Sequence, residues 1–294
     1  MNAIVFGGSG FLGSYVADEL IEAGHQVTVF DKNESRYLQA GQTMVVGDIL
    51  NPESVRSAIQ GHDVVYNFAG LADLNASIDD PVRTLNLNVF GNLNLLQAAK
   101  EANVKRFVYA STVYVFSSKG SYYGISKRTS EQVIEEFCPH NDIDFTIVRY
   151  GSVYGKRADR QNRIYRILRQ ALESKKIVFE GNGEEEREYI HVQDAAKLSV
   201  EILGDEFKNQ RIILTGVERF KYSQLLELVK EMLEGKVEIE YLNEDYQGHY
   251  TLTPYSYKPK TGRKVICNPY IDFGQGLLDT LSEIHEDIGR DAHQ

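Results

Sequence analysis

Short apolar runs alternate with longer amphipathic stretches over the first half of the chain. The runs at 2–6, 27–30, 44–46, 64–68, 106–110 and 145–149 have the length and apolar character of buried strands. Between most of them, 11–23, 52–59, 81–102 and 124–137 carry apolar residues at helical spacing. This β-α alternation predicts an α/β fold with a parallel sheet covered on both faces. Right-handed crossovers make it doubly wound, with ligands at the carboxyl ends of the strands. The rhythm changes after Tyr154. A basic helix is predicted over 160–173, a turn-rich segment over 180–188, a strand over 211–214 and a helix over 223–233. The stretch 248–264, rich in Tyr, Pro and Lys, reads as irregular. The expected organisation is a ligand-binding domain over 1–155, to which the chain returns near 190–215, and a smaller cap built mostly from 156–294.

Composition narrows the function classes. At 42% hydrophobic and 25% charged residues the chain is ordinary for a globular protein. No apolar run reaches the roughly 18 residues of a membrane span. Met1 leads directly into a strand-like run without a basic leader, so cytoplasmic residence is the expectation. The two cysteines, Cys138 and Cys267, fit a reducing compartment, and the seven scattered histidines predict no metal site. A net charge of −10 opposes nonspecific nucleic-acid binding, so no nucleic-acid partner is expected. An anionic ligand would need a local cluster of Arg, Lys and backbone N–H groups.

The turn after the first strand supplies such a cluster. Gly7-Gly8-Ser9-Gly10-Phe11-Leu12-Gly13 matches both GxxGxxG and GxGxxG between a strand and a helix. Glycine lets the backbone approach a pyrophosphate, and the helix start presents free N–H groups to it. The fold expectation sharpens to a Rossmann dinucleotide-binding sheet. Asp31 follows the second strand, where a carboxylate can accept hydrogen bonds from an adenosine ribose and repel a 2′-phosphate. That favours NAD over NADP, although Lys32 and Arg36 lie nearby; the alternative for Asp31 is a strand-end turn residue.

Tyr123-Gly124-Ile125-Ser126-Lys127 is a YxxxK, whose first and last side chains share a helix face. Bringing a phenol from pH 10 to neutrality takes roughly 4 kcal/mol of differential stabilisation, which an ammonium and a positive nicotinamide ring can supply. The tyrosine can then accept an alcohol proton. Ser111-Thr112, at the end of the fifth strand, offers a hydroxyl for the reacting oxygen; a surface cap is the alternative for Thr112.

Together these marks give the chain a resemblance. GGSGFLG (7–13), Asp48-Ile49, Phe68-Ala69-Gly70, Asn88-Val89-Phe90-Gly91-Asn92, YASTVYVFSS (109–118), YGISK (123–127), RYGSVYGKR (149–157) and REYIHVQDAA (187–196) carry it. In this order they resemble the extended short-chain dehydrogenase/reductase family, the NAD-dependent epimerases and dehydratases of nucleotide sugars.

The resemblance implies Thr112, Tyr123 and Lys127 as the catalytic trio. It adds Gly7, Gly10, Phe11, Leu12, Asp31, Lys32, Asp48, Ile49, Phe68, Ala69, Gly70, Tyr150, Ser152 and Val153 to the NAD site, with Tyr123 and Lys127. Thr112, Tyr114, Ser152, Arg157, Arg187 and Arg263 are the implied substrate contacts, and Asn88 is structural. For Arg187 the alternative is a surface ion pair with Glu184–Glu186. Arg160, Arg163, Arg166 and Arg169 read as a mostly solvated face. In 248–264, tyrosines stacking on a base with Lys258, Lys260 and Arg263 on phosphates, and an ordinary solvated loop, are equal alternatives.

The departures matter as much. Dehydratases of the family place Asp-Glu after the catalytic Thr and decarboxylases a Glu, whereas Val113 and Tyr114 stand here. Ser152 replaces a family Asn, and the loop 118–122 is short. The expected reaction is therefore C4 oxidation of a nucleotide sugar with return of the hydride, a 4-epimerase. The first alternative is net 4-dehydrogenation, and the second is a noncatalytic dinucleotide sensor. A homodimer through helices near 83–102 and 122–138 is also implied.

Overall fold

The computed structural model describes residues 1–117, 119–217, 219–242, 263–267 and 270–291. Its main body is a parallel sheet. The strands and helices of the first half are β1 (Asn2–Phe6), α1 (Phe11–Glu22), β2 (Gln26–Asp31), β3 (Gln42–Val46), α2 (Pro52–Ala58), β4 (Val64–Asn67), α3 (Leu74–Asp79), α4 (Pro81–Leu85), α5 (Gly91–Glu101), β5 (Arg106–Thr112), α6 (Ser121–Phe137) and β6 (Asp144–Tyr150). The second half adds β7 (Ser152–Tyr154), α7 (Arg163–Ser174), β8 (Lys176–Phe179), β9 (Glu186–His191), α8 (Val192–Glu201), β10 (Gln210–Leu214), β11 (Arg219–Lys221), α9 (Tyr222–Met232), β12 (Glu238–Tyr241), β13 (Arg263–Val265) and α10 (Phe273–Asp291).

The eight-stranded sheet runs β13-β10-β6-β5-β4-β1-β2-β3. Strand alternation builds both its faces. Ala3 and Val5 point into a core with Val16, Ala17 and Leu20 of α1 and Ala195, Ala196 and Leu198 of α8. Ile4 and Phe6, one residue out of phase, join Val55, Leu95, Leu96 and Ile134 from α2, α5 and α6. Strands buried on both sides must be apolar throughout, which is why these runs were legible. The order reverses between β1 and β4, and the crevice of a doubly wound sheet opens at such a point. A separate core from α7, β8, α9 and α10 includes Leu168, Ile177, Leu225 and Leu277.

Several expected elements differ. The helix predicted over 81–102 contains a π turn at Asn86–Phe90, which buries Asn88. The basic helix begins at Arg163, where Asn162 accepts the Tyr165 N–H as an N-cap. The turn-rich segment ends at β9, which starts at Glu186 and pairs with β7. The chain returns to the main sheet at β10. Arg263–Val265, expected to be irregular, is instead β13, parallel to β10. The remainder of that stretch, with Lys258 and Lys260, lies outside the described residues. Among the described residues no helix is long and apolar enough to cross a membrane.

Candidate active site

The glycine turn brings the ends of β1 and β4 unusually close. Gly7 has φ +78°, and a Cβ there would lie 2.6 Å from the Ala69 nitrogen and 2.7 Å from the Phe68 carbonyl carbon. A Cβ on Gly13 would meet the Gly7 oxygen at 2.3 Å. Only hydrogen fits at either position, and the backbone is left bare at the mouth of the crevice. Gly10 is the N-cap of α1 and supplies no side chain. The first N–H groups of that helix, from Phe11 and Leu12 onward, thus remain available to an anion.

A groove of about 380 Å³ starts at this turn, lined by Gly7, Gly10, Asp31, Lys32, Asp48, Ile49, Phe68, Ala69 and Gly70. Nine of the residues expected at the NAD site therefore meet in one place. Asp31 accepts hydrogen bonds from the Ser9 and Asn33 N–H groups at 3.1 and 3.2 Å, and Asp48 accepts from the Leu50 N–H at 2.9 Å. The bare turn, the uncapped helix start and the Asp31 carboxylate beside them suit the pyrophosphate and ribose of a dinucleotide. Asn33, Gly47, Leu50, Arg83 and Leu87 also line the groove and were not anticipated. Arg83 comes from α4 and Leu87 from the π turn that follows it, which no periodicity announces.

Asp31→Ala should weaken NAD binding about tenfold, the loss of one or two charge-assisted hydrogen bonds, and narrow the preference for NAD over NADP. Titration of both cofactors by protein fluorescence checks it. Unchanged NAD affinity would leave Asp31 only its turn-forming role.

Gly70 joins the groove to the candidate catalytic residues. A Cβ on it would lie 2.5 Å from Asn88 Oδ1 and 4.0 Å from Lys127 Nζ. Asn88, raised by the π turn, accepts the Leu71 N–H at 2.7 Å and donates to Ser126 Oγ at 2.8 Å. It thereby ties the groove's edge to α6, the helix that carries YxxxK. The Thr112 side chain acts on the Tyr123 hydroxyl, favouring its ionised form. Lys127 Nζ donates to the Ala110 carbonyl at 2.8 Å and lies 6.0 Å from the Tyr123 ring centre and 4.8 Å from that of Tyr109. Thr112 and Lys127 are both buried. The three expected catalytic side chains thus converge.

Their electrostatics show what the protein contributes by itself. The phenol of Tyr123 is not lowered by the protein alone. Burial pushes it up to about 12, and the Thr112 hydrogen bond pulls the other way. Burial brings the Lys127 ammonium down to about 8, against which the Glu131 carboxylate raises it. Between pH 8 and 10.5 the unfolded chain holds a proton at this lysine that the folded one has released, so stability from this group rises with pH across that window. Below pH 8 the folded state carries the full penalty, about 3 kcal/mol, set against about 1 kcal/mol for the lysine's hydrogen bond. Lys127→Met should therefore be about 2 kcal/mol more stable than the parent at pH 7, the advantage giving way to a deficit of about 1 kcal/mol above pH 10.5. Urea unfolding at the two pH values checks this, and a variant less stable at pH 7 would contradict it.

The remaining expected contacts divide. Tyr114 stands edge-on to Tyr123, ring centres 6.3 Å apart, on the 3-10 turn Val113–Phe116. The Tyr150 hydroxyl bonds Ser199 Oγ at 2.6 Å and its ring packs near Phe68, so this side chain belongs to the core. Ser152 and Val153 pair with Tyr189 and Ile190. Arg187 is 2% exposed, which overturns the surface ion pair. Its guanidinium donates to the Glu186 carbonyl and lies 5.5 Å from the Tyr222 ring centre.

Arg157 is committed elsewhere: it pairs with Asp18 at 2.8 Å and lies over the rings of Tyr15 and Tyr37. A phosphate would have to displace that carboxylate. Arg263 sits over Phe207, which precedes β10, and so at the amino end of the sheet rather than at the crevice. The arginines expected on a mostly solvated face are partly to fully exposed, and they share one surface groove. Arg160, Arg163, Arg166 and Arg169 line a second groove of about 550 Å³ with Val178, Phe179 and Glu180. Arg163 lies 5.3 Å from the same Tyr222 ring that Arg187 approaches. A helix wheel cannot reveal a groove that β8, the strand following α7, closes.

Comparison with known proteins agrees with this geometry. Residues 3–216 match the NAD dependent epimerase/dehydratase family. The chain is 27% identical to a UDP-N-acetyl-alpha-D-glucosaminuronate decarboxylase of Bacillus cytotoxicus, over 96% of this chain and 97% of that one. It is 24% identical to a UDP-glucuronate 4-epimerase of Thermodesulfobacterium geofontis, over 97% and 96%. The crystal structure of a UDP-glucuronic acid 4-epimerase from Bacillus cereus superposes with a TM-score of 0.86 at 20% identity, over 97% and 99%.

Proposed function

Because the chain belongs to the NAD-dependent epimerase/dehydratase family, and is an NAD-dependent enzyme of the extended short-chain dehydrogenase/reductase kind, we propose that it acts as a nucleotide-sugar 4-epimerase. The observation that carries this reading is the meeting of Thr112, Tyr123 and Lys127 beside Gly70, with Val113 and Tyr114 where an eliminating or decarboxylating member has a carboxylate. NAD, when bound, supplies the hydride acceptor, and the groove residues from Gly7 to Gly70 would hold it. Tyr123 takes the proton from the sugar's C4 hydroxyl. Thr112 hydrogen-bonds the same oxygen and fixes its approach. Lys127 steadies the phenolate by charge and holds its own position through the Ala110 carbonyl. With no acid at 113 or 114, the keto sugar has no partner for elimination and is reduced again from its other face.

We read 1–155 as the cofactor-binding part and 156–294 as mostly a substrate cap. The arginine-lined groove on α7 and β8 supports an anionic nucleotide portion there, with Arg187 close to it. A homodimer is supported by the apolar side chains exposed on α3, α4, the π turn and α6, among them Val82 (67%), Phe90 (58%) and Ile125 (51%). Sedimentation should give a dimer mass, and Phe90→Glu with Ile125→Glu should give a monomer.

A second reading, net 4-dehydrogenation, follows if the keto sugar escapes before the hydride returns to it. The 27% identical decarboxylase makes loss of CO₂ a further outcome to score, which Tyr114 opposes. Incubation with UDP-glucose, UDP-glucuronic acid and UDP-N-acetylglucosamine separates them. Formation of the C4 epimer without accumulated NADH supports epimerisation. Stoichiometric NADH with a keto product, or a pentose product, overturns it.

A further inference from the structure

Behind the catalytic residues lies a charged group that the mechanism does not use. Tyr123, Lys127 and Glu131 repeat every four residues and so share one face of α6. Glu131 is 4% exposed. Its carboxylate accepts Arg149 Nη2 at 2.6 Å and Nε at 3.0 Å, and Ser111 Oγ at 2.5 Å. Ser111 directly precedes Thr112. Arg149 also lies over the Phe116 ring at 4.6 Å, on the turn that carries Tyr114. One carboxylate therefore connects the ends of β5 and β6 with the third turn of α6.

Stability alone is a poor reason for such a pair, since apolar replacement of a buried ion pair is often neutral or stabilising. We propose that Glu131 is a positioning residue: held by Arg149 and Ser111, it forms a buried anchor that keeps the Lys127 ammonium charged and Thr112 aligned at Tyr123. The proposal rests on the reading of Thr112, Tyr123 and Lys127 as the catalytic set. The groups facing Lys127 are Tyr123 and Glu131 from α6 and Tyr109 from β5. Those facing Glu131 are Arg149 and Ser111, with the Arg211–Glu135 pair one helical turn further on. Among the described residues, Glu131 is the charge that favours the protonated lysine against its burial.

The test follows Lys127 directly, by carbon NMR of side-chain-labelled lysine in the full chain, with Lys127→Met identifying the resonance. In Glu131→Gln the midpoint should fall from near 8 by about one pH unit or more. Turnover of the UDP-sugar accepted by the parent should drop about 10²-fold in kcat, as for a slightly misplaced catalytic group, with KM little changed. Glu131→Leu/Arg149→Met removes the pair without leaving a lone buried charge. It should regain the parental unfolding temperature yet keep the lowered midpoint and slow turnover. An unmoved Lys127 midpoint in Glu131→Gln, or parental turnover in the double variant, overturns the proposal. Full activity of Tyr123→Phe overturns the catalytic reading instead, and is told apart because the lysine titration still shifts.

Discussion

Tyr123→Phe should lower turnover by about 10³-fold, the middle of the range for removing a positioned general base. The phenol is half-buried beside Thr112, and burial, working against the pull of the Thr112 side chain, holds it near 12. A group so placed does not give up its proton at neutrality without the charge of Lys127 and of a bound cofactor, and phenylalanine has none to give. The variant keeps the ring, so its packing against Tyr114 survives and NAD affinity should stay within about twofold of the parent, well under 1 kcal/mol. Lost turnover with retained binding is the pattern of an interaction made only during reaction. Rate and cofactor titration together check it. Loss of binding in step with rate would point to a structural role.

Gly7→Ala should have the second largest effect, on binding and stability at once. A side chain at φ +78° carries backbone strain of about 1–3 kcal/mol. The added carbon also meets main-chain atoms of Phe68 and Ala69 below 3 Å, and main chain cannot rotate away. Overpacking adds about 1–3 kcal/mol, and the ends of β1 and β4 must part, which deforms the floor of the groove. We expect a loss of about 3 kcal/mol in urea unfolding and at least about tenfold weaker NAD binding. Gly24→Ala is the control. It has φ +81° with nothing within 4 Å, so it should show strain alone and unaltered NAD binding. Equal losses in the two variants would refute the close approach.

The doubly wound sheet was legible because strands buried on both faces must be apolar, and the helices between them must be apolar on one side. The candidate site was legible for a related reason. Gly7, Asp31, Asp48, Ala69 and Thr112 all end strands or sit just beyond them, and the topology gathers strand ends into one crevice, to which α6 brings Tyr123. What resisted was everything fixed by distant parts of the chain. The π turn at Asn86–Phe90 adds one residue per turn without disturbing the helical pattern of 81–102, yet it is what aims Asn88 at Leu71. β13 is three residues at an edge, too short to alternate. Arg157 and Arg263 were placed by analogy of position. Their actual partners, Asp18 and Phe207, lie 139 and 56 residues away in sequence. Glu131 looked like any helical glutamate until Arg149 and Ser111 closed on it.

The central claim is that Tyr123 deprotonates a C4 hydroxyl while the C4 hydrogen departs as hydride and later returns. A UDP-sugar carrying deuterium at C4, turned over in ordinary water, tests it most directly. The account predicts a C4 epimer that retains the deuterium at C4. An epimer whose label has been exchanged for solvent hydrogen would contradict it.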